Sequence, residues 1–150
     1  MHICCAVVVK NYNHFWDIAD AKCDDGSWDY FLIGGRFRNL IPVGKNCKLR
    51  REDEDGVWMG GNDLYTPDPR MNYVNVARLR NVDRNELWML ESCGFINIFH
   101  PYSIIMEELD GCARELVLED CNEQEMNSIN AYLNDPRVQS YYIFLVDAHI

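Results

Sequence analysis

Four histidines, seven cysteines and one Gly-Gly-Arg run are the residues of this 150-residue chain whose types could do chemistry. His2 and Cys4 alternate within a strand-like run, so they share one face of it, and Asp147 and His149 share a face of the closing run. If those two runs pair, four side chains of zinc-binding type converge. Their spacing matches no metal-ligand signature, so partly exposed side chains are expected there and no metal is assigned. Any of the seven cysteines could pair with a histidine as an activated nucleophile, but no local motif selects a pair. Most of the cysteines sit in apolar or strand contexts, where the thiol behaves as a small hydrophobe. Paired carboxylates select nothing where acidic residues are everywhere. Walker, dinucleotide-fold and nucleophile-elbow patterns are absent. No catalytic residue and no cofactor is therefore assigned.

The stretch around which the chain is organised is Trp28-Asp29-Tyr30-Phe31-Leu32-Ile33-Gly34-Gly35-Arg36-Phe37. Apolar residues on both parities read as a buried strand, and the glycine pair as its turn or bulge. That reading places Trp28 and Phe31 in the interior on opposite faces, with Arg36 at a rim. The same residues could also make a contact. Glycine amides followed by a guanidinium can hold an anion, and Trp28 or Tyr30 can stack on a ring. The candidate contact residues are Trp28, Asp29, Tyr30, Gly34, Gly35 and Arg36. Trp58 joins them as a large apolar residue in a polar stretch that needs something to cover it.

Composition bounds the rest. Lysine plus arginine number 14 and aspartate plus glutamate 24, for a net charge of −10. That charge disfavours non-specific nucleic-acid binding, which requires basic residues on phosphates, and favours attraction to basic surfaces. A 48% hydrophobic fraction fits one folded domain over residues 1–150. The cysteines, Cys4, Cys5, Cys23, Cys47, Cys93, Cys112 and Cys121, are odd in number and lack a Cys-x-x-Cys pair. With no secretory signal ahead of them, reduced thiols and a cytoplasmic location are expected. No apolar run approaches the roughly 20 residues of a membrane span.

Ile3 to Val9 reads as a buried strand. Asn11 to Lys22 reads as a loop with at most one helical turn, and Trp28 to Phe37 as the second strand. Residues 44–69 change composition, with mixed charges, Gly60-Gly61 and two prolines, and read as a long surface loop. Asn72 to Leu79 alternates as a strand. Asp83 to Glu86 is a capping box that starts a helix. Tyr102 to Glu107 and Arg114 to Leu118 flank Asp110-Gly111, the strongest local hairpin signal. Asn122 to Glu125 is a second capping box, and Met126, Ile129 and Leu133 line one face of its helix. Tyr141 to Val146 closes the chain as a strand. The expected fold class is α+β, a mostly antiparallel sheet with about two helices packed on it and a long irregular loop.

The Trp28–Phe37 stretch resembles the Trp-Asp-Trp-Tyr-x-Ile-Gly-Gly-Arg-Trp signature of a family of small bacteriophage proteins of unassigned function. The resemblance continues through Asn75-Val76-Ala77, Asp83, Pro101 to Ile105, Asp110-Gly111 and the closing Val146-Asp147-Ala148-His149-Ile150. This chain departs by Tyr30 and Phe37 in place of tryptophans, by Ala148 in place of cysteine, and by lacking a Gly- and Trp-rich turn after the hairpin. The resemblance implies a viral or prophage origin and no particular activity. With the acidic charge it leads to an expected role: an accessory protein that binds a bacterial defence effector in the host cytoplasm, in the manner of acidic anti-CRISPR proteins that occupy a nucleic-acid groove. A nucleotide held by Arg36 and the glycine amides is the alternative ligand, and a small nucleotide- or protein-modifying enzyme the third reading. Direct nucleic-acid binding and membrane association are not expected.

Overall fold

The computed structural model describes residues 1–44, 71–83 and 101–150. Its centre is a pair of eight-residue antiparallel strands, β1 (His2–Val9) and β8 (Tyr142–His149), joined in register from His2 opposite His149 to Val9 opposite Tyr142. Both are nearly continuous apolar runs, and they are buried on both faces. β6 (Ser103–Glu107) lies parallel to the other side of β1, and β7 (Ala113–Val117) pairs antiparallel with β6. Two short strands lie end to end along the far edge of β8. β2 (Tyr30–Ile33) covers its last residues and β5 (Val76–Arg78) its first. A separate two-stranded sheet joins β3 (Ile41–Gly44) to β4 (Met71–Val74). The fold is α+β with a mostly antiparallel six-stranded sheet.

Each face of the sheet carries its own helix. α1 (His14–Asp24) sends Phe15 and Ala19 into a cluster with Cys5, Val7, Ile105, Phe144 and Val146. Phe15 lies flat on Phe144, with centroids 4.1 Å apart and planes 2° from parallel. α2 (Glu123–Leu133) sends Ile129 and Leu133 into the opposite cluster, with Ala6, Val8, Ile143 and Leu145. Leu40, Ile41, Val43 and Val74 of the small sheet and its approach join that same side.

Local turn chemistry places the hairpin and α2 where the sequence puts them. Gly111 takes φ +86, and its N–H donates to Glu108 O at 3.0 Å. The Asn122 side chain accepts the Glu125 N–H at 2.8 Å, and Glu125 reaches back to the Asn122 N–H.

Three expectations are corrected. Residues 14–24 are an eleven-residue helix rather than a loop. Its apolar face, Phe15, Ile18, Ala19 and Cys23, has helical spacing, but its cap, Asn13, makes no side-chain hydrogen bond to announce it. The second strand spans only Tyr30–Ile33, because Gly34 at φ +75 turns the chain into a 3-10 turn over Gly35–Phe37. Trp28 therefore precedes the strand, and strand parity does not separate it from Phe31. Both rings join the α1-side cluster, 6.1 Å apart. The strand expected over 72–79 is broken at Asn75, which passes the chain from the small sheet to the large one. Most of the loop at 44–69, with Trp58, and the helix expected after Asp83 lie outside the described residues.

Candidate functional site

The pairing of β1 with β8 and of β8 with β2 brings three chain segments to one end of the sheet. His2 stands opposite His149, and His149 opposite Tyr30. On the α2-side face the row continues with Cys4, Asp147 and Leu32. α2 itself reaches the other end, where the Tyr132 hydroxyl donates to Glu107 O. The near end is more open. Among the described residues six large apolar side chains are exposed, and five of them, Met1, Tyr30, Leu32, Tyr102 and Ile150, are here. The sixth, Leu109, lies in the hairpin turn.

Asp147 is the polar centre of this end. It is 1% exposed, and a buried carboxylate needs its acceptors filled. Oδ1 accepts from His2 Nδ1 at 2.7 Å, and Oδ2 accepts the backbone N–H of Arg36 at 2.9 Å. With its proton on Nδ1, the neutral His2 ring presents Nε2 as an acceptor. A second pair stands beside the first. His149 Nδ1 lies 2.9 Å from Asp29 Oδ2, and its ring stacks on Tyr30 with centroids 4.9 Å apart and planes 5° from parallel. The His2 and His149 rings meet edge to face at 4.9 Å. Of the four side chains of metal-binding type, His2 pairs with Asp147, His149 pairs with Asp29 instead, and Cys4 joins neither pair. No group of three that could hold a metal ion occurs among the described residues.

The Gly34-Gly35 turn fits around these groups. The Gly34 N–H donates to Leu145 O at 2.8 Å, and Phe37 N–H to Gly34 O at 2.9 Å. A Cβ on Gly34 would lie 2.7 Å from Asn75 Oδ1. The anion at this turn is the protein's own Asp147 carboxylate, held by the Arg36 amide rather than its guanidinium.

Beside His2 opens a cleft of about 370 Å³, lined by Met1, His2, Ile3, Cys4, Phe37, Pro101, Tyr102 and Glu119. The Glu119 charge, followed by burial, raises the Tyr102 phenol above its ordinary range. Burial, followed by the neighbouring Cys5 and Asp147, pushes the Cys4 thiol far above its ordinary range, so it supplies no thiolate. The cleft holds an oriented imidazole, a carboxylate and rings, but no activated sulfur nucleophile.

Of the candidate contact residues, Asp29, Tyr30, Gly34, Gly35 and Arg36 are brought to this end. Trp28 is 3% exposed and packs in the α1-side core. Arg36 is exposed, beside the glycine turn. The sequence singles out His2, Asp147 and His149 as metal-type residues, the last two also within the closing stretch of the resemblance, and none as a contact residue. The strand parity that grouped them was the available signal, and their pairing across about 145 residues needed the register. No helix among the described residues is long and apolar enough to cross a membrane. No family model, curated protein or solved structure matches this chain.

Proposed function

We propose that this is a viral accessory protein that acts by binding, and that it contacts a basic surface of a host defence effector with the open end of the sheet. The observation that carries this reading is the gathering of five of the six exposed large apolar side chains at that end. Exposed apolar residues grouped around polar ones mark a contact surface more often than a solvated face. Charge supports a basic partner. Residues 101–150 carry ten of the 24 acidic residues and two of the 14 basic ones. Two of the stretches that share the resemblance to phage proteins, 28–37 and 146–150, meet here through the pairing of Tyr30–Ile33 with Val146–His149.

Capture by purified RNA-guided nucleases at low and high salt tests the reading. Binding that weakens as salt rises supports it, and binding that is absent or indifferent to salt contradicts it. A second reading, a nucleotide ligand, is favoured by two exposed side chains of the same segment, Tyr30 and Arg36. Calorimetry with cyclic and linear nucleotides, repeated with Arg36→Ala, tests that one.

A further inference from the structure

We propose that the cleft beside His2 is a receptor for an arginine side chain of the protein partner, an inference that rests on the binding reading above. The walls supply what a guanidinium uses. It is planar, stacks on aromatic rings, and donates several N–H groups in a fixed fork. Phe37 and Tyr102 are rings of the lining, and Glu119 is the one carboxylate among its described residues. His2 adds a second acceptor. Its side chain is 17% exposed, its Nδ1 is hydrogen-bonded to Asp147, and in the tautomer with the proton on Nδ1 its Nε2 is an acceptor. Two acceptors among apolar walls suit a group that only donates.

Among the described residues no lysine or arginine side chain lines the cleft. The Met1 amino group, which is near, is turned to Ile150 O at 2.9 Å and to His149 Nε2 at 3.3 Å. Arg36 and Arg38 flank Phe37 in sequence, but neither belongs to the lining. The net charge of −10 makes a basic partner the complementary one, and an ammonium lacks the plane and fork that the site rewards.

The test is an NMR titration of the full chain with N-acetyl-arginine methylamide, alongside N-acetyl-lysine methylamide and guanosine monophosphate. The arginine amide is expected to give saturable shifts at Ile3, Cys4, Phe37 and Tyr102. Glu119→Gln is expected to weaken it about tenfold, the scale of one lost charge-assisted hydrogen bond. His2→Ala should weaken it similarly, and because Glu119 is exposed, Glu119→Gln keeps the test intact if His2→Ala fails to fold. No saturable shift, equal binding of the lysine amide, tighter binding of guanosine monophosphate, or indifference to Glu119→Gln would each overturn the proposal. The titration needs no partner, so its failure leaves the effector test standing. Failed capture of an effector likewise leaves the titration standing.

Discussion

The carboxylate of Asp147 occupies the space that a side chain on Gly35 would fill. A Cβ on Gly35, where φ is +51, would stand 2.5 Å from Asp147 Oδ2 and 2.5 Å from its Cβ. The glycine pair is therefore fixed by two separate demands. One is a left-handed backbone, and the other is close approach to a buried acid that the next amide must reach.

Gly35→Ala should cost about 3 kcal/mol or more, combining left-handed strain with displacement of a charged hydrogen-bond acceptor. Gly26 separates the two demands, because it has φ +83 but nothing within 4 Å of an added Cβ. Gly26→Ala should cost only about 1–2 kcal/mol. Urea unfolding of the two variants checks this, and equal costs would show that Asp147 does not constrain the turn.

Trp28 and Arg36 should behave oppositely. Trp28→Ala empties a buried site and should destabilise by about 3–5 kcal/mol. Arg36→Ala keeps the amide that holds Asp147 and removes only an exposed guanidinium, so its cost should be under about 1 kcal/mol. Thermal melts of both variants decide. An Arg36→Ala variant that unfolds would make the guanidinium a structural clamp.

Local chemistry was legible in the sequence, and long-range pairing was not. Asp110-Gly111 and the Asn122–Glu125 box each fix their turn within a few residues, and both appear as read. α1 was hidden because its cap makes no side-chain bond, and because Asp17, Asp20 and Asp24 on its outer face break up the apolar run. The second strand was overextended because an apolar run does not show where Gly34 turns the chain. His2 and Asp147 illustrate the harder case. Parity placed each on a face, but only the β1–β8 register makes them partners rather than half of a metal site.

A second imidazole–carboxylate pair gives a pH prediction. His14 Nδ1 lies 3.1 Å from Glu107, and that hydrogen bond, followed by the Glu107 charge, raises the His14 pKa above its ordinary 6.5. A raised folded-state value means that the folded protein holds this proton more tightly. The stabilisation is complete below 6.5 and fades as pH rises through the folded-state value. The stability gap between wild type and His14→Ala should thus be larger near about pH 5.5 than near about pH 9. A gap that grows with pH would contradict the pairing.

Thiol reactivity should follow burial. Cys4, Cys5, Cys23, Cys112 and Cys121 are free thiols. Burial, only partly offset by the Ser103 hydrogen bond, pushes Cys5 up to about 12, and Cys112 is exposed. Under native conditions an aromatic disulfide reagent should modify Cys112 while leaving Cys4 and Cys5 unreacted until the protein unfolds. Early reaction at Cys5, located by peptide mapping, would mean that β1 is not interior.

The binding surface is tested most directly by comparing effector affinity for wild type, Leu32→Asp and Leu109→Asp. Leu32 and Leu109 are 53% and 41% exposed, at opposite ends of the sheet, so neither change empties the core. A charge placed at the centre of a contact should weaken binding by about tenfold or more, whereas one outside it should change affinity little. The expected result is loss of binding with Leu32→Asp and near wild-type affinity with Leu109→Asp. Equal affinity of all three proteins, or loss confined to Leu109→Asp, would contradict the placement of the surface at the His2–Asp147 end.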